Sequence, residues 1–190
     1  DLIEWKAQQT ASASASASEN NHGGTSGVYL SHDPAPPFTA GEAGLDGTSF
    51  PHEKPLGVAE LRDVLLDSTR SLFHRYRAMF SLRNLNNDLA AEAIADGFSD
   101  TSALFRHEVA YVLGQMQRRV TIPQLTVVLH NTVEHKMVRH EAAEALGAIG
   151  GEEIEEILRG YEQDPEAVVK ESALVALDTM DYWSTFQDTA

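Results

Sequence analysis

Two His-Glu pairs are the residues of this sequence whose types and spacing best suit metal chemistry. One pair occurs in the stretch RHEVAYVLGQM, and the other occurs thirty-three residues later in RHEAAEALGAI. The pairs, His107-Glu108 and His140-Glu141, each stand near the start of a segment whose small and aliphatic residues recur at helical spacing. Imidazole nitrogens and carboxylate oxygens suit iron, manganese or zinc. The repeat therefore indicates a helical unit that carries metal ligands.

Helix geometry decides how such pairs could meet at one ion. Consecutive residues on a helix point about 100° apart, so a single pair aims both side chains at one ion less easily than residues four apart. Stacked helices lie roughly 8–10 Å apart, and equivalent positions on them can face each other. His107 and His140 are therefore predicted to converge on an ion between two helices, with Glu141 or Glu108 supplying an oxygen.

A fourfold internal repeat supplies the helices that would position the pairs. In steps of 31, 33 and 31 residues, the pair positions hold Tyr76-Arg77, His107-Glu108, His140-Glu141 and Glu171-Ser172. A two-helix unit of this length, stacked so that each unit buries its apolar face on its neighbours, is typical of a HEAT-like α-solenoid. We therefore predict an all-α fold of four antiparallel helical hairpins. Because the outer units lack His-Glu, the fold itself does not require the pair.

Hydrophobic periodicity divides the repeats into individual helices. Pro123 and Pro165 fit helix beginnings, where proline loses no hydrogen bond. The apolar stripe of the two central units is predicted to be core, namely Val109, Leu113, Ala142, Ala145, Leu146 and Ile149. The predicted helices are 57–67, 72–84, 88–97, 102–117, 121–131, 137–149, 151–161 and 165–180.

The chain before the repeats has a different composition. Residues 1–9 resemble the end of a helix, and residues 10–55 are rich in Gly, Ser, Thr and Pro and include a strict Ala-Ser alternation. Such a segment buries too little apolar surface to offset its ordering entropy, which predicts a mostly disordered linker. Within it, Val28–Leu30 and Pro34–Phe38 could dock locally on a surface.

The ends of the chain complete the predicted organisation. The four repeats are assigned to residues 56–180, and residues 181–190 are predicted to be a C-terminal tail. The sequence begins at Asp1, without a methionine, in what resembles the end of a helix. We interpret it as a fragment of a longer protein.

Composition restricts the classes of partner and site. The net charge of -15 opposes nucleic acid and anionic membrane surfaces and favours a cationic partner. No apolar run approaches the roughly 20 residues that span a bilayer, so a cytoplasmic location is expected. The sequence has no cysteine, so any metal must be held by nitrogen and oxygen.

The remaining histidines and the arginines beside the pairs have structural interpretations. His74, His130 and His135 are predicted to lie on the surface, and three further histidines fall in the linker, namely His22, His32 and His52. Arg106 and Arg139 precede the two pairs and are predicted to anchor a turn or to balance nearby carboxylates.

The residues alone leave several functions open. Two His and one carboxylate with open positions form the pattern of oxygen-activating ferrous sites, while zinc at the same ligands would suit a hydrolase. A HEAT-like array could also be a non-catalytic scaffold whose acidic groove binds a basic protein partner. In the plainest alternative, the pairs only cap helices or form salt bridges between units.

Three stretches resemble the C-terminal half of the deoxyhypusine hydroxylase family: LFHRYRAMFSLRNL, SALFRHEVAYVLGQMQ and MVRHEAAEALGAIG. The linker stretch YLSHDPAPP is also similar to that family, and the resemblance covers residues 1–9 and about 28–180. A full enzyme of the family resembles two four-unit halves with four His-Glu pairs, of which this chain holds two.

The resemblance implies a non-haem di-iron monooxygenase that uses O2 to hydroxylate the deoxyhypusine side chain of translation initiation factor 5A to hypusine. It implies that His107, His140 and Glu141 are iron ligands and that Glu108 binds the cationic amine of the substrate. The N-terminal half of the same enzyme is an expected partner, and neither nucleic acid nor a membrane is expected. The isolated chain is expected to lack activity, because the other two pairs are absent from it.

Overall fold

The computed structural model describes residues 33–38 and 56–187, with side chains to residue 185. The predictions for residues 1–9, for most of the 10–55 linker and for residues 188–190 lie outside the described residues. The three linker histidines also lie outside them.

The described chain from residue 56 onward is helical, which confirms the predicted all-α class. Within residues 56–187, eight α-helices form four consecutive hairpins, and a short 3-10 helix follows α3 and another precedes α5, at Asp96–Ser99 and Arg119–Thr121. The helices are α1 Val58–Leu66, α2 Leu72–Leu85, α3 Asp88–Ala95, α4 Ala103–Met116, α5 Ile122–His130, α6 Lys136–Ile149, α7 Glu152–Arg159 and α8 Ala167–Gln187.

Local sequence signals set most of the helix boundaries. The side-chain oxygens of Ser71, Asn87 and Ser102 accept hydrogen bonds from backbone N–H groups in the first turns of α2, α3 and α4. Helices α2 and α4 end where Asn86 and Gln117 adopt left-handed backbone angles. These caps place the inner helices α2 and α4 close to their predicted limits.

The last helix departs from the prediction at both ends. Helix α8 begins at Ala167 rather than at 165, because the Asp164 carboxylate accepts a hydrogen bond from the backbone N–H of Glu166 in a turn before the helix. It then runs to Gln187 rather than ending at 180. No glycine or proline occurs between residues 181 and 187, so nothing in that stretch stops the helix.

Small residues set the distance between the inner helices. A Cβ atom added at Gly114 of α4 would lie 3.0 Å from the Cα of Ala145 in α6. A Cβ atom added at Gly147 of α6 would lie 2.5 Å from the Cβ of Ala176 in α8. The predicted core stripe is confirmed as buried, except that Ile149 is only half-buried. The inner helices α4, α6 and α8 therefore pack in series at close range.

Two inner-helix arginines, the half-buried Arg106 and the buried Arg139, tie the second hairpin to the third and the third to the fourth. Arg139 donates from Nε to the carbonyl oxygen of Leu129 at 2.9 Å and from Nη2 to Asp164 at 2.6 Å. Arg106 donates to both carboxylate oxygens of Glu134 at 2.7 and 2.5 Å. The predicted anchoring and charge-balancing roles of Arg106 and Arg139 are confirmed.

Residues 33–38, which we call the strap, pack against α2. Arg77 donates to the carbonyl oxygens of Pro36 and Pro37 at 2.9 and 3.1 Å, and the backbone N–H of Phe38 donates to Ser81 Oγ at 2.8 Å. A salt bridge of 2.6 Å joins Arg83 to Asp33. The local docking predicted for Pro34–Phe38 is confirmed.

The environment of His74 corrects a prediction. His74 was expected at the surface, but it is only 4% exposed, its ring stacks on Phe38 at 6.5 Å between centroids, and its Nδ1 lies 2.8 Å from Ser71 Oγ. The strap covers this face of α2, which the helical period alone does not reveal. His130 and His135 are exposed, as predicted.

Candidate metal centre

Helices α4 and α6 carry the two His-Glu pairs at matching positions. His107 and His140 are each the fifth residue of their helix, and their rings lie 5.6 Å apart between centroids. Because α4 and α6 are the inner helices of consecutive hairpins, equivalent positions face each other. The repeat therefore brings the two imidazoles together, as the sequence predicted.

One carboxylate completes a compact cluster with these imidazoles. His107, His140 and Glu141 each offer one ligand atom, and the three atoms all lie within 4.8 Å of one another. Glu141 Oε2 lies 3.1 Å from His107 Nε2 and 3.6 Å from His140 Nε2. All three residues are buried, with exposed fractions of 9%, 2% and 7%. Of the two carboxylates that the sequence allowed, Glu141 is the one in this cluster.

The environment of His140 fits a metal ligand. Its Nδ1 lies 3.1 Å from Glu144 Oε1 and 3.1 Å from Ser172 Oγ, whereas its buried Nε2 makes no hydrogen bond within the described chain. Metal-binding imidazoles characteristically use one nitrogen for the ion and the other for such an outer partner. Two imidazoles and one carboxylate leave coordination positions open for water or a substrate.

Glu108 is buried beside this cluster, and charges surround it. Burial raises its pKa, the His107 imidazole opposes that rise, and the carboxylates of Glu141 and Asp33 add to it. The Arg83 guanidinium acts in the opposite direction. Glu108 is therefore a desolvated carboxylate outside the three-residue cluster, and a cationic group would be favoured next to it.

The pair positions of neighbouring units follow a common register. Glu141 reaches back from α6 to His107 in α4, and Ser172 reaches back from α8 to His140 in α6. Burial raises the pKa of Tyr76 in the preceding unit to about 12, and the charge of Glu108 adds to that rise. The second residue of each pair thus acts on the first residue of the pair before it.

Glu144 and Ser172 were not singled out from the sequence. Ser172 Oγ donates to Glu144 Oε1 at 3.0 Å, and both side chains contact the same nitrogen of His140. One signal was available, because Glu144 stands four residues after His140 on the same face of a helix. No comparable signal identified Ser172, because its contact depends on the packing of α8 against α6.

Comparisons with known proteins agree with the repeat architecture and with the sequence resemblance. A sequence profile described as HEAT repeats matches residues 90–178. The deoxyhypusine hydroxylase of Drosophila melanogaster is 50% identical over 157 residues, which are 83% of this chain and 47% of that protein. The chain is homologous to the C-terminal half of deoxyhypusine hydroxylase.

Mammalian deoxyhypusine hydroxylases match to a similar degree. The bovine protein is 50% identical over 171 residues, covering 87% of this chain and 52% of the relative, and the human protein is 48% identical over 163 residues, covering 85% and 49%. The chain thus spans about half the length of the curated relatives that it matches.

A solved structure shares the fold as well as the sequence. The structure of human deoxyhypusine hydroxylase in complex with glycerol superposes with a TM-score of 0.69 at 44% identity, covering 95% of this chain and 54% of that one. The HEAT-like solenoid that the sequence predicted is confirmed. Among the helices within residues 56–187, none has both the length and the apolar character needed to cross a membrane.

Proposed function

We propose that this chain supplies the C-terminal half of the active site of a deoxyhypusine hydroxylase, with His107, His140 and Glu141 as ligands of one iron. The observation that carries the proposal is the buried three-residue cluster, formed at the seam between two units of a chain about 50% identical to proteins of that name. A scaffold would have no need to bury two imidazoles and a carboxylate around one point.

When bound, iron would supply the O2 chemistry: one oxygen atom of O2 would be inserted into a C–H bond of the deoxyhypusine side chain to give C–OH, and the other would leave as water, with two electrons and two protons from an external reductant. The residues of this chain would fix the ion and keep bulk water away from it. The low exposure of His107, His140 and Glu141 supports that role.

Glu108 would bind the cationic amine of the substrate. Its carboxylate is buried beside the cluster, and Glu141 and Asp33 add negative charge around it. An ammonium group placed there would be attracted to a charge that the protein holds out of water. The net charge of -15 would further steer a cationic side chain to the protein.

A second half-site would complete the enzyme. The chain spans about half of its relatives, so we propose that an N-terminal half brings the other two His-Glu pairs and a second iron, and that residues 10–55 link the two halves. We further propose the cytoplasm as the site of action on translation initiation factor 5A, and no activity for this chain alone.

The test is metal analysis of the full chain purified without chelator, alone and mixed with the N-terminal half of a relative. The expected result is iron near one per chain by mass spectrometry, with a visible absorption band at least in the mixture. His107→Ala should remove the metal, whereas His130→Ala, at an exposed histidine, should retain it. A colourless protein with stoichiometric zinc would instead favour a hydrolase. No metal in either sample, with helical circular dichroism intact, would favour the scaffold.

A further inference from the structure

Glu144 and Ser172 form a hydrogen-bonded triangle with one edge of the His140 ring. Ser172 Oγ donates to Glu144 Oε1 at 3.0 Å, and His140 Nδ1 lies 3.1 Å from each of these two oxygens. His140 and Ser172 are almost fully buried, whereas the Glu144 side chain is 44% exposed. The triangle spans the contact between α6 and α8, on the side of the ring away from Glu141.

The donors and acceptors of this triangle determine the tautomer of His140. An ionised carboxylate accepts hydrogen bonds and donates none, so the hydrogen atom between Glu144 and His140 must belong to Nδ1. The single hydroxyl hydrogen of Ser172 is already donated to Glu144. Ser172 Oγ therefore accepts a hydrogen bond from His140 Nδ1 and does not donate one to it. A neutral ring with its hydrogen on Nδ1 has its lone pair on Nε2.

The lone pair on His140 Nε2 then faces the cluster in which the ion would bind. His140 Nε2 is buried, makes no hydrogen bond within the described residues and lies 3.6 Å from Glu141 Oε2. An imidazole with the opposite tautomer would present N–H to the cluster and would have to exchange tautomers before it could bind a metal. From this arrangement we infer that Glu144 and Ser172 are positioning residues that hold His140 in the metal-binding tautomer before any ion arrives.

The register of the repeat gives Ser172 this role. Ser172 occupies the position that Glu141 holds in the preceding unit, and each residue reaches back to the histidine of the unit before it. A glutamate contributes a ligand oxygen at that position, whereas the shorter serine contacts the rear of the imidazole. The fourth unit would therefore serve the centre without donating a ligand. This inference rests on the proposed metal-binding function.

The test uses the full chain with uniform 15N labelling and Co²⁺ as the metal probe. Long-range 1H–15N correlation spectra of the metal-free protein report which nitrogen of His140 carries the hydrogen, and a Co²⁺ titration gives the dissociation constant. The variants are Ser172→Ala, Glu144→Gln and the double variant Glu144→Ala with Ser172→Ala. Ser184→Ala and Glu171→Gln are matched controls at exposed positions of the same helix as Ser172.

The wild-type chain should show hydrogen on Nδ1. The double variant should lose this preference and raise the Co²⁺ dissociation constant by about 10- to 100-fold, the range for disrupting an outer partner of a ligand. Glu144→Gln keeps an acceptor oxygen, so it should retain the tautomer and lose less than about tenfold in affinity. The controls should match the wild type in both measurements.

The two readouts separate this inference from the proposed function. Hydrogen on Nε2 in the wild type, or an unchanged tautomer and affinity in the double variant, would overturn the positioning role while leaving the metal site standing. If the double variant shifts the tautomer as expected but the wild-type chain binds no Co²⁺, the positioning of His140 holds and the proposed metal function fails.

Discussion

Gly114→Ala tests whether the spacing of α4 and α6 sets the geometry of the candidate metal centre. Gly114 stands two helical turns after His107, and its neighbour Ala145 stands one turn after Glu141. The new methyl group would lie 3.0 Å from the Cα of Ala145 and 3.2 Å from its Cβ, whereas ordinary contact begins at 3.4 Å. The two helices must therefore separate by about 0.4 Å at this point, since a packed core has no room to absorb the methyl group.

This displacement should affect stability and metal affinity differently. Alanine gains about 1 kcal/mol over glycine in a helix, while overpacking costs about 1–3 kcal/mol, so the free energy of unfolding should fall by no more than about 2 kcal/mol. Ligand distances in metal sites hold within roughly 0.2 Å. A separation of His107 from Glu141 by more than that should raise the Co²⁺ dissociation constant by about tenfold.

The assay combines urea unfolding followed by circular dichroism with a Co²⁺ titration of each folded variant. Gly57→Ala is the matched control, because among the described residues an added Cβ there meets only the end of the Glu60 side chain at 3.6 Å. Adding Ala145→Gly to Gly114→Ala removes the contact at 3.2 Å and should restore part of the lost affinity. An unchanged dissociation constant in folded Gly114→Ala would refute the claim that helix spacing sets the site.

Three further outcomes are expected from the buried charges. Arg139→Met should lower the free energy of unfolding by about 3–5 kcal/mol, because it leaves the buried Asp164 carboxylate without its partner. Urea titrations measure this change. Equal stability of the two proteins would mean that the ion pair contributes nothing. The hydrogen bond from Arg139 lowers the pKa of Asp164 below its ordinary 3.8, so this pair stabilises the fold above about that pH and the contribution is lost as the pH falls through the lowered pKa. Unfolding of the wild type between pH 5 and pH 2 should therefore depend on pH more steeply than that of Arg139→Met, and parallel curves would exclude the linkage. Glu108→Gln should leave the Co²⁺ dissociation constant within about twofold but weaken the binding of spermidine, a polyamine probe. Isothermal calorimetry measures the spermidine binding. The reverse pattern would make Glu108 a metal ligand.

Most of the fold followed from periodicity because each unit repeats the same apolar face. The end of α8 could not be predicted in this way. The stretch after residue 180 has no glycine or proline to stop the helix, and it lacks the strong apolar periodicity that defines the earlier helices. The burial of His74 was also unpredictable from its own helix. The strap that covers it comes from a segment about forty residues earlier, whose composition favours disorder.

The candidate site was predictable to the extent that it repeats. Two copies of one motif in register identified His107, His140 and Glu141 as candidates, and the stacking of the units explained how they converge. The choice between Glu141 and Glu108 could not be made from spacing, because it depends on which way each helix is rotated against its neighbour. Ser172 could not be identified from the sequence for a related reason. Its unit keeps the register of the repeat but not the His-Glu residue types of the pair.

The backward reach of each pair makes the candidate metal centre a property of interfaces rather than of units. Two consecutive pair-bearing units create one cluster, which uses both imidazoles but only the carboxylate of the later unit. The earlier carboxylate, Glu108, acts electrostatically on Tyr76, which stands at the position where a histidine would be needed, so the stacking order itself leaves Glu108 available for another role. A cluster requires two consecutive units that both carry His-Glu. A duplicated His-Glu hairpin inserted after α6 would therefore add a second cluster, whereas the same hairpin placed beyond α8 would add none. An array of this kind could gain or lose metal centres through the order of its modules, without any change in their sequences.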